Sequence, residues 1–305
     1  MRNLRPIAYL FAVACVFFAA AATPASAFLF GGSTEPVSGD SGAPIAQNMD
    51  VETYRNVPYT GTLSAVDNEG DAFTFTIATE PSKGSVGLNE DGVTFLYVPD
   101  EGASGEDSFT FTATDTGGNV SAPATVHITI IKQKTAVSYA DLENHPSAPA
   151  AVCLAEHGIY VGRQVGSSYF FDPEETVTRS EFLAMAMNAV GVSADEGVQL
   201  TGFTDDETIS VWAKGYASAA VREGIISGIA TDTGIQFQGE DAITLSEAAT
   251  VMNRLLDVTD VHLEDAAAET WAAQAVANME SVSVVAAGSF GTPAVEEAIT
   301  RAQAA

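Results

Sequence analysis

Two periodicities divide the chain. From 43 to 131, apolar and polar residues alternate with a period of two. Phe73, Phe75 and Ile77 alternate with Thr74 and Thr76, and Val93, Phe95 and Tyr97 form a second set. Phe109 and Phe111 alternate with Thr110 and Thr112, and Val126, Ile128 and Ile130 with Thr125, His127 and Thr129. This pattern predicts strands with one buried face. Asn68-Glu69-Gly70, Asp91-Gly92 and Thr116-Gly117-Gly118-Asn119 are turn signals between them. Several short strands at this spacing predict an antiparallel β-sandwich.

From 137 onward the period becomes helical. Trp212, Tyr216, Ala219 and Ala220 fall on one helical face, and Gly224 ends that helix because glycine takes the left-handed conformation at little cost. A loop is expected up to Phe237. Thr244 and Glu247 then form a capping box for a second helix, Ala248 to Leu256. The same unit stands 66 residues upstream, where Gly158, Phe171, Thr178 and Glu181 match Gly224, Phe237, Thr244 and Glu247. A third copy runs from Trp271-Ala272 through Val284-Val285 to Ile299-Thr300-Arg301-Ala302-Gln303. Such copies cannot bury their apolar faces alone and are expected to pack on each other.

The fold class expected is therefore multidomain, all-β plus all-α. The expected divisions are a signal peptide at 1–27, a flexible Gly/Ser-rich leader at 28–42, a β-sandwich at 43–131 and a linker at 132–136. Helical repeats follow at 137–192, 200–258 and 260–305. Arg2 and Arg5, the apolar run Ile7 to Ala22 and the small residues Ala25-Ser26-Ala27 carry the signal-peptide reading, so no membrane insertion is expected after its removal. Cys15 is poorly placed for lipid attachment, because Ala12 stands where leucine is usual.

Charge narrows the partners. Loss of Arg2 and Arg5 takes the formal charge from −28 to −30. A chain this acidic is a poor partner for nucleic acid or an anionic membrane. Beyond the leader one cysteine remains, Cys153, which excludes an intrachain disulfide. It reads as a small buried residue with no histidine partner at helical spacing. His127, His145, His157 and His262 form no metal-ligand spacing, and no nucleophile motif is present. Pairs such as Asp205-Asp206 and Glu174-Glu175 are too common in an acidic chain to mark a glycosidase. The expectation is a protein that is not an enzyme and needs no cofactor.

The β segment resembles the bacterial cadherin-like, immunoglobulin-like modules of surface proteins. The likeness rests on Gly61 to Asp67, Gly70-Asp71, Pro81 with Gly84, Gly105 to Phe111, Asp115 and Ala124 to Ile130. Such modules are spacers or adhesive units, sometimes with calcium. Asp67, Asp71 and Asp115 are the candidate calcium ligands, set against a plain acidic turn.

The helical copies resemble the S-layer homology family of wall-anchoring modules. The carrying residues are Phe203-Thr204-Asp205, Trp212-Ala213, Gly224 to Gly228, Phe237 and Thr178-Arg179-Ser180-Glu181. The resemblance implies three repeats in a pseudo-threefold bundle. It also implies binding of a secondary cell-wall polysaccharide, often one bearing pyruvate ketals, in grooves between repeats. Carried over by position, the binding candidates are Asp141, Gly158, Arg179, Asp205, Trp212, Gly224, Trp271 and Arg301. Pro146 stands at the first tryptophan position, Leu245 replaces the second arginine, Ser283 and Ala287 replace the third repeat's glycines, and Gln303 its glutamate.

Each candidate has a plainer role: capping box, core anchor, backbone stop. Arg179 and Arg301 break a local rule, since a cation at the first helical position opposes the macrodipole. An arginine fork there suits a carboxylate. That carboxylate belongs either to a ligand or to another repeat. The function expected is a non-catalytic surface protein, held to the wall by its repeats and displaying a β module. The alternative is an adhesin whose β-sandwich binds a cell-surface ligand, with the repeats only as anchor.

Overall fold

Each alternating stretch forms a strand in the computed structural model, which describes residues 42–259, 271–286, 288–289 and 292–305. The signal-peptide reading, His262 and Ala287 lie outside the described residues. Strands β1 (Ile45–Ala46), β2 (Met49–Tyr54), β3 (Tyr59–Thr62), β4 (Ala65–Val66) and β5 (Phe73–Thr79) come first. Then follow β6 (Gly84–Leu88), β7 (Thr94–Pro99), β8 (Gly105–Asp115) and β9 (Ala124–Ile131). One sheet has the order β2-β9-β8-β5, a second β3-β7-β6, and β1 pairs with β4. Phe75, Phe109, Phe111, Val126 and Ile128 of the first sheet share one core with Phe95 and Tyr97 of the second. The rings of Phe95 and Phe109 meet edge-on at 5.1 Å.

The sandwich departs from the expected antiparallel arrangement at one place. β2 pairs with β9 in parallel, Val51 opposite Ile128. A parallel pair has no hairpin, so its partners must come from distant parts of the chain, and local turn signals do not reveal it.

Asp107 is buried on β8. Its carboxylate accepts from the Ser82 amide at 2.8 Å, the Ser82 hydroxyl at 2.9 Å, the Lys83 amide at 2.9 Å and the Tyr97 hydroxyl at 2.8 Å. Burial pushes this carboxyl up, but the four hydrogen bonds outweigh it and hold it below the usual carboxylate range. The acid thus ties the turn before β6 to β7 and β8.

The helical part contains α1 (Ala148–Glu156), β10 (Arg163–Val165), β11 (Ser168–Phe170), α2 (Arg179–Ala189) and α3 (Val211–Arg222). It continues with β12 (Ile229–Thr231), β13 (Gly234–Gln236), α4 (Leu245–Leu256), α5 (Ala273–Ser281) and α6 (Arg301–Ala304). Contacts divide the chain into two units between Val152 and Cys153, inside α1. The part is not purely helical: the expected loops fold as hairpins, β10 on β11 and β12 on β13. Their strands are three residues long, too short for a period of two to show. Gly162 and Gly228 have φ of +75° and +76°. A Cβ on Gly162 would lie 2.4 Å from the Phe170 carbonyl, so glycine is needed for that hairpin to close.

Of the expected apolar face of α3, Ala219 and Ala220 are buried together with Ala213 and Ala217, whereas Trp212 is 52% exposed. Small side chains let this helix approach closely, and a Cβ on Gly215 would lie 2.5 Å from the Asp195 carbonyl oxygen. Gly215→Ala gains about 1 kcal/mol of helix propensity, yet overpacking against backbone costs about 1–3 kcal/mol. Net destabilisation in thermal melts is the expected result, opposite to the propensity gain.

Lys214 on α3 clamps the preceding loop through Asp206, whose other oxygen accepts from the Thr201 amide and hydroxyl. Together, the Lys214 ammonium first and the Thr201 donors next, these hydrogen bonds hold the Asp206 pKa at about 2. A depressed carboxylate gives stability present above its unfolded value and lost as pH falls through the folded one. The Thr201 amide is therefore expected to keep its exchange protection until pH nears about 2.

Cys153 is buried, as expected, but it does have a histidine neighbour: His157, one helical turn on, puts Nδ1 3.6 Å from Sγ. The same nitrogen lies 2.9 Å from the Cys153 carbonyl oxygen, the nearer partner.

The three capping boxes form as expected, Thr178 with Glu181, Thr244 with Glu247 and Thr300 with Gln303. Just before each lies a buried aliphatic residue, and these three bond in a closed ring. The Val177 amide donates to Ile299, Ile299 to Ile243, and Ile243 back to Val177, at 3.1, 3.0 and 2.9 Å.

Candidate functional site

The ring fixes where each helix starts. The amide of Arg179 on α2 donates to Asp241, that of Leu245 on α4 to Glu297, and that of Arg301 on α6 to Glu175. The first helical side chain of one repeat therefore sits against the turn that precedes the ring residue of another. Three junctions result, on one backbone plan.

Their side chains differ. At the first junction Arg179 Nε donates to the Phe237 carbonyl at 3.0 Å, and Nη1 lies 2.5 Å from Glu247 Oε1. Arg179 is 13% exposed. At the second junction Leu245 and Gln303 occupy the matching places, so both members of the ion pair are neutral. At the third junction Arg301 Nη1 donates to the carbonyls of Phe171 and Asp172 at 2.8 and 3.1 Å. Its guanidinium lies over the Tyr160 ring, 5.6 Å from the centroid. Nη2 stands 4.0 Å from Glu181 Oε1, and Arg301 is 11% exposed.

A serine marks the same difference. Ser246 follows Leu245, and its hydroxyl donates to Val295 at 2.8 Å. Ser180 follows Arg179 and is 1% exposed, but its hydroxyl has no partner. The place of Val295 is taken here by Gly239, whose carbonyl accepts from the Ser180 amide at 2.9 Å.

The third junction opens into a cavity of about 440 Å³. Tyr160, Gly162, Arg163, Asp172, Glu175, Glu181 and Arg301 line it. Arg163 Nη2 and Nε donate to Asp172 at 2.8 and 3.2 Å, and the same guanidinium lies 4.9 Å above the Phe170 ring centroid. Those hydrogen bonds hold the Asp172 carboxyl below its ordinary range. Burial pushes the Tyr160 hydroxyl up, against the pull of Arg301.

The other candidates are placed as follows. Both Asp205 oxygens are spent on backbone, accepting from the Phe237 and Gln238 amides at 2.9 and 2.8 Å. Asp141 is half-buried in the turn before α1. Gly158 and Gly224 have φ of +67° and +73° directly after α1 and α3, with nothing near a built Cβ, which fits backbone stops. Trp212 is 52% exposed beside Tyr216, and Trp271 is 67% exposed, so neither is a core anchor.

The calcium candidates are not brought together. No group of three or more metal-binding side chains occurs among the described residues. Asp67 Oδ1 instead accepts from the Glu69 and Asp71 amides. Asp115 accepts from the Asn119 amide and side chain, bonds that hold its carboxyl low.

Tyr160, Arg163, Asp172 and Glu175 were not singled out from sequence. One signal was available: with 12 Lys and Arg in 305 residues, an arginine directly after a repeat glycine is conspicuous.

Comparison with known proteins bears on both parts. Residues 41–129 match the bacterial Ig domain family, and residues 202–249, holding α3, its hairpin and the start of α4, match the S-layer homology domain. The chain carries both domains. The S-layer homology stretch contains Phe237, Glu247 and Leu245, one side of two of the junctions. The chain is 31% identical over 111 residues to a surface-layer 125 kDa protein of Lysinibacillus sphaericus, covering 36% of this chain and 9% of that one. It is 33% identical over 88 residues to the exoglucanase XynX of Acetivibrio thermocellus, covering 28% and 8%. The chain thus matches less than a tenth of these relatives' length. Among solved structures, an endo-fucoidan hydrolase of glycoside hydrolase family 107 aligns over 32% of this chain and 17% of its own at 26% identity, with a TM-score of 0.25; that score is too low to inform the fold.

Proposed function

We propose that this is a non-catalytic protein of the bacterial cell surface, anchored because its S-layer homology repeats bind an acidic secondary polysaccharide of the wall, with the Ig module displayed as a spacer. We further propose that the repeats form a pseudo-threefold bundle, a reading supported by the closed ring through Val177, Ile243 and Ile299. The observation that carries the binding reading is the open inter-repeat cleft of about 440 Å³ with its charged lining. Two arginines line it. Protein and polymer are both acidic overall, so long-range attraction cannot hold them together. Binding comes from local, charge-assisted hydrogen bonds in a partly desolvated groove. Pyruvate ketals supply the carboxylates that fit such arginines.

No described helix is long and apolar enough to cross a membrane, and the anchoring reading needs none. The test is cell fractionation. The protein is expected in the wall fraction of its producing strain and to be released by added free wall polymer. Retention that free polymer does not reduce would sink the reading.

A further inference from the structure

We propose that the helical part holds one ligand site per chain, at the Arg301 junction, and that Arg163 selects the ligand there together with Arg301. This rests on the wall-binding reading above and narrows it.

The three junctions share a backbone plan but not a chemistry. Sixty-six residues after Tyr160, Arg163 and Asp172 stand Ile226, Ile229 and Gln238. The Arg179 junction therefore lacks the tyrosine at that place, the second arginine and the carboxylate that braces it. Its one arginine is already closed on Glu247 at 2.5 Å. A ligand carboxylate there would replace one carboxylate by another, with little gain. The Leu245 junction has no charge at either place.

The Arg301 junction keeps a looser ion pair. Glu181 and Glu247 are gripped alike by their capping boxes, each through a 3.1 Å bond from the cap amide to Oε2. The arginines make the difference. Arg179 points Nε at a carbonyl and so turns Nη1 onto Glu247. Arg301 points Nη1 at two carbonyls and lies over Tyr160, which leaves 4.0 Å between Nη2 and Glu181.

Arg163 completes the site from the hairpin. Its side chain is 57% exposed, anchored by both oxygens of Asp172 and lying over Phe170. Asp172 Oδ2 is also 3.9 Å from Arg301. Two guanidinium groups thus share one carboxylate, and each is braced by a ring. Braced side chains lose little freedom when they bind. The ligand this fits is a sugar unit bearing one carboxylate, met by both arginines.

The experiment uses the full mature chain and polymer fragments released by mild acid from purified sacculi, read by calorimetry for stoichiometry and affinity. One site per chain is expected. Arg301→Ala and Arg163→Ala should each weaken binding about ten- to a hundredfold, with melting temperatures recorded beside them. Arg179→Leu combined with Glu247→Gln should bind within about twofold of the parent. Arg163→Ala should also lose the preference for fragments that keep their carboxylates over fragments stripped of them, which a merely structural arginine would not change. Two or more sites per chain, or lost binding in the Arg179→Leu/Glu247→Gln protein, overturns this inference and leaves wall binding intact. No binding by the parent overturns both.

Discussion

Asp107→Ala is expected to destabilise the Ig module by about 3–5 kcal/mol, the largest single effect in that unit. Hydrogen bonds to a charged group contribute about 1.5–3 kcal/mol each, and donors left unmade in a buried site add their desolvation. Four donors converge on this carboxylate, so non-additivity rather than scarcity of bonds limits the total. Asp107→Asn should fall between, because an amide keeps one accepting oxygen and turns its NH2 toward either the Ser82 amide and hydroxyl or the Lys83 amide and the Tyr97 hydroxyl. The pH dependence follows from the depressed carboxyl. The stability it supplies is fully present above the unfolded pKa and is lost as pH falls through the lower, folded one. Chemical denaturation of the parent and both variants at neutral pH and in acid checks this. A loss near about 1 kcal/mol for the alanine would mean that the donors find other acceptors.

Glu247→Gln and Arg179→Leu are expected to be much worse singly than together. Glu247→Gln keeps the cap, as Gln303 shows by accepting from Thr300 at 2.8 Å, and removes only the charge facing Arg179. A guanidinium 13% exposed is then left without its carboxylate, at a cost of about 2–3 kcal/mol. Arg179→Leu alone strips Glu247 of its partner. It also removes the hydrogen bond to the Phe237 carbonyl, at a cost of about 1–2 kcal/mol in all. The double variant copies the Leu245 and Gln303 junction that the chain already contains. A favourable coupling of about 1–2 kcal/mol in a double-mutant cycle is the expected outcome. Strict additivity would show that the pair contributes nothing.

The strands were legible because each buries one face, and burial on one face writes a period of two into the residues. Capping boxes were legible because they are complete within four residues. What escaped was whatever depends on a partner far along the chain. The parallel pairing of β2 with β9 is one case. The short hairpins β10–β11 and β12–β13 are another, since three-residue strands carry no period. The cap around Arg179 is complete within its own four residues, but the partner that occupies its guanidinium, Glu247, sits on the next repeat. Arg301 has a glutamine in place of the matching glutamate, yet its cap forms and its side chain lines a cleft. Asp205 was read as a ligand contact, whereas its oxygens hold the backbone of another turn.

The central claim is that the wall polymer itself is what this protein holds. The most direct measurement is co-sedimentation of the full mature chain with purified sacculi, before and after chemical removal of the secondary polysaccharide. Saturable binding that disappears with the polymer is the predicted result. Equal binding to stripped and unstripped sacculi would contradict the account.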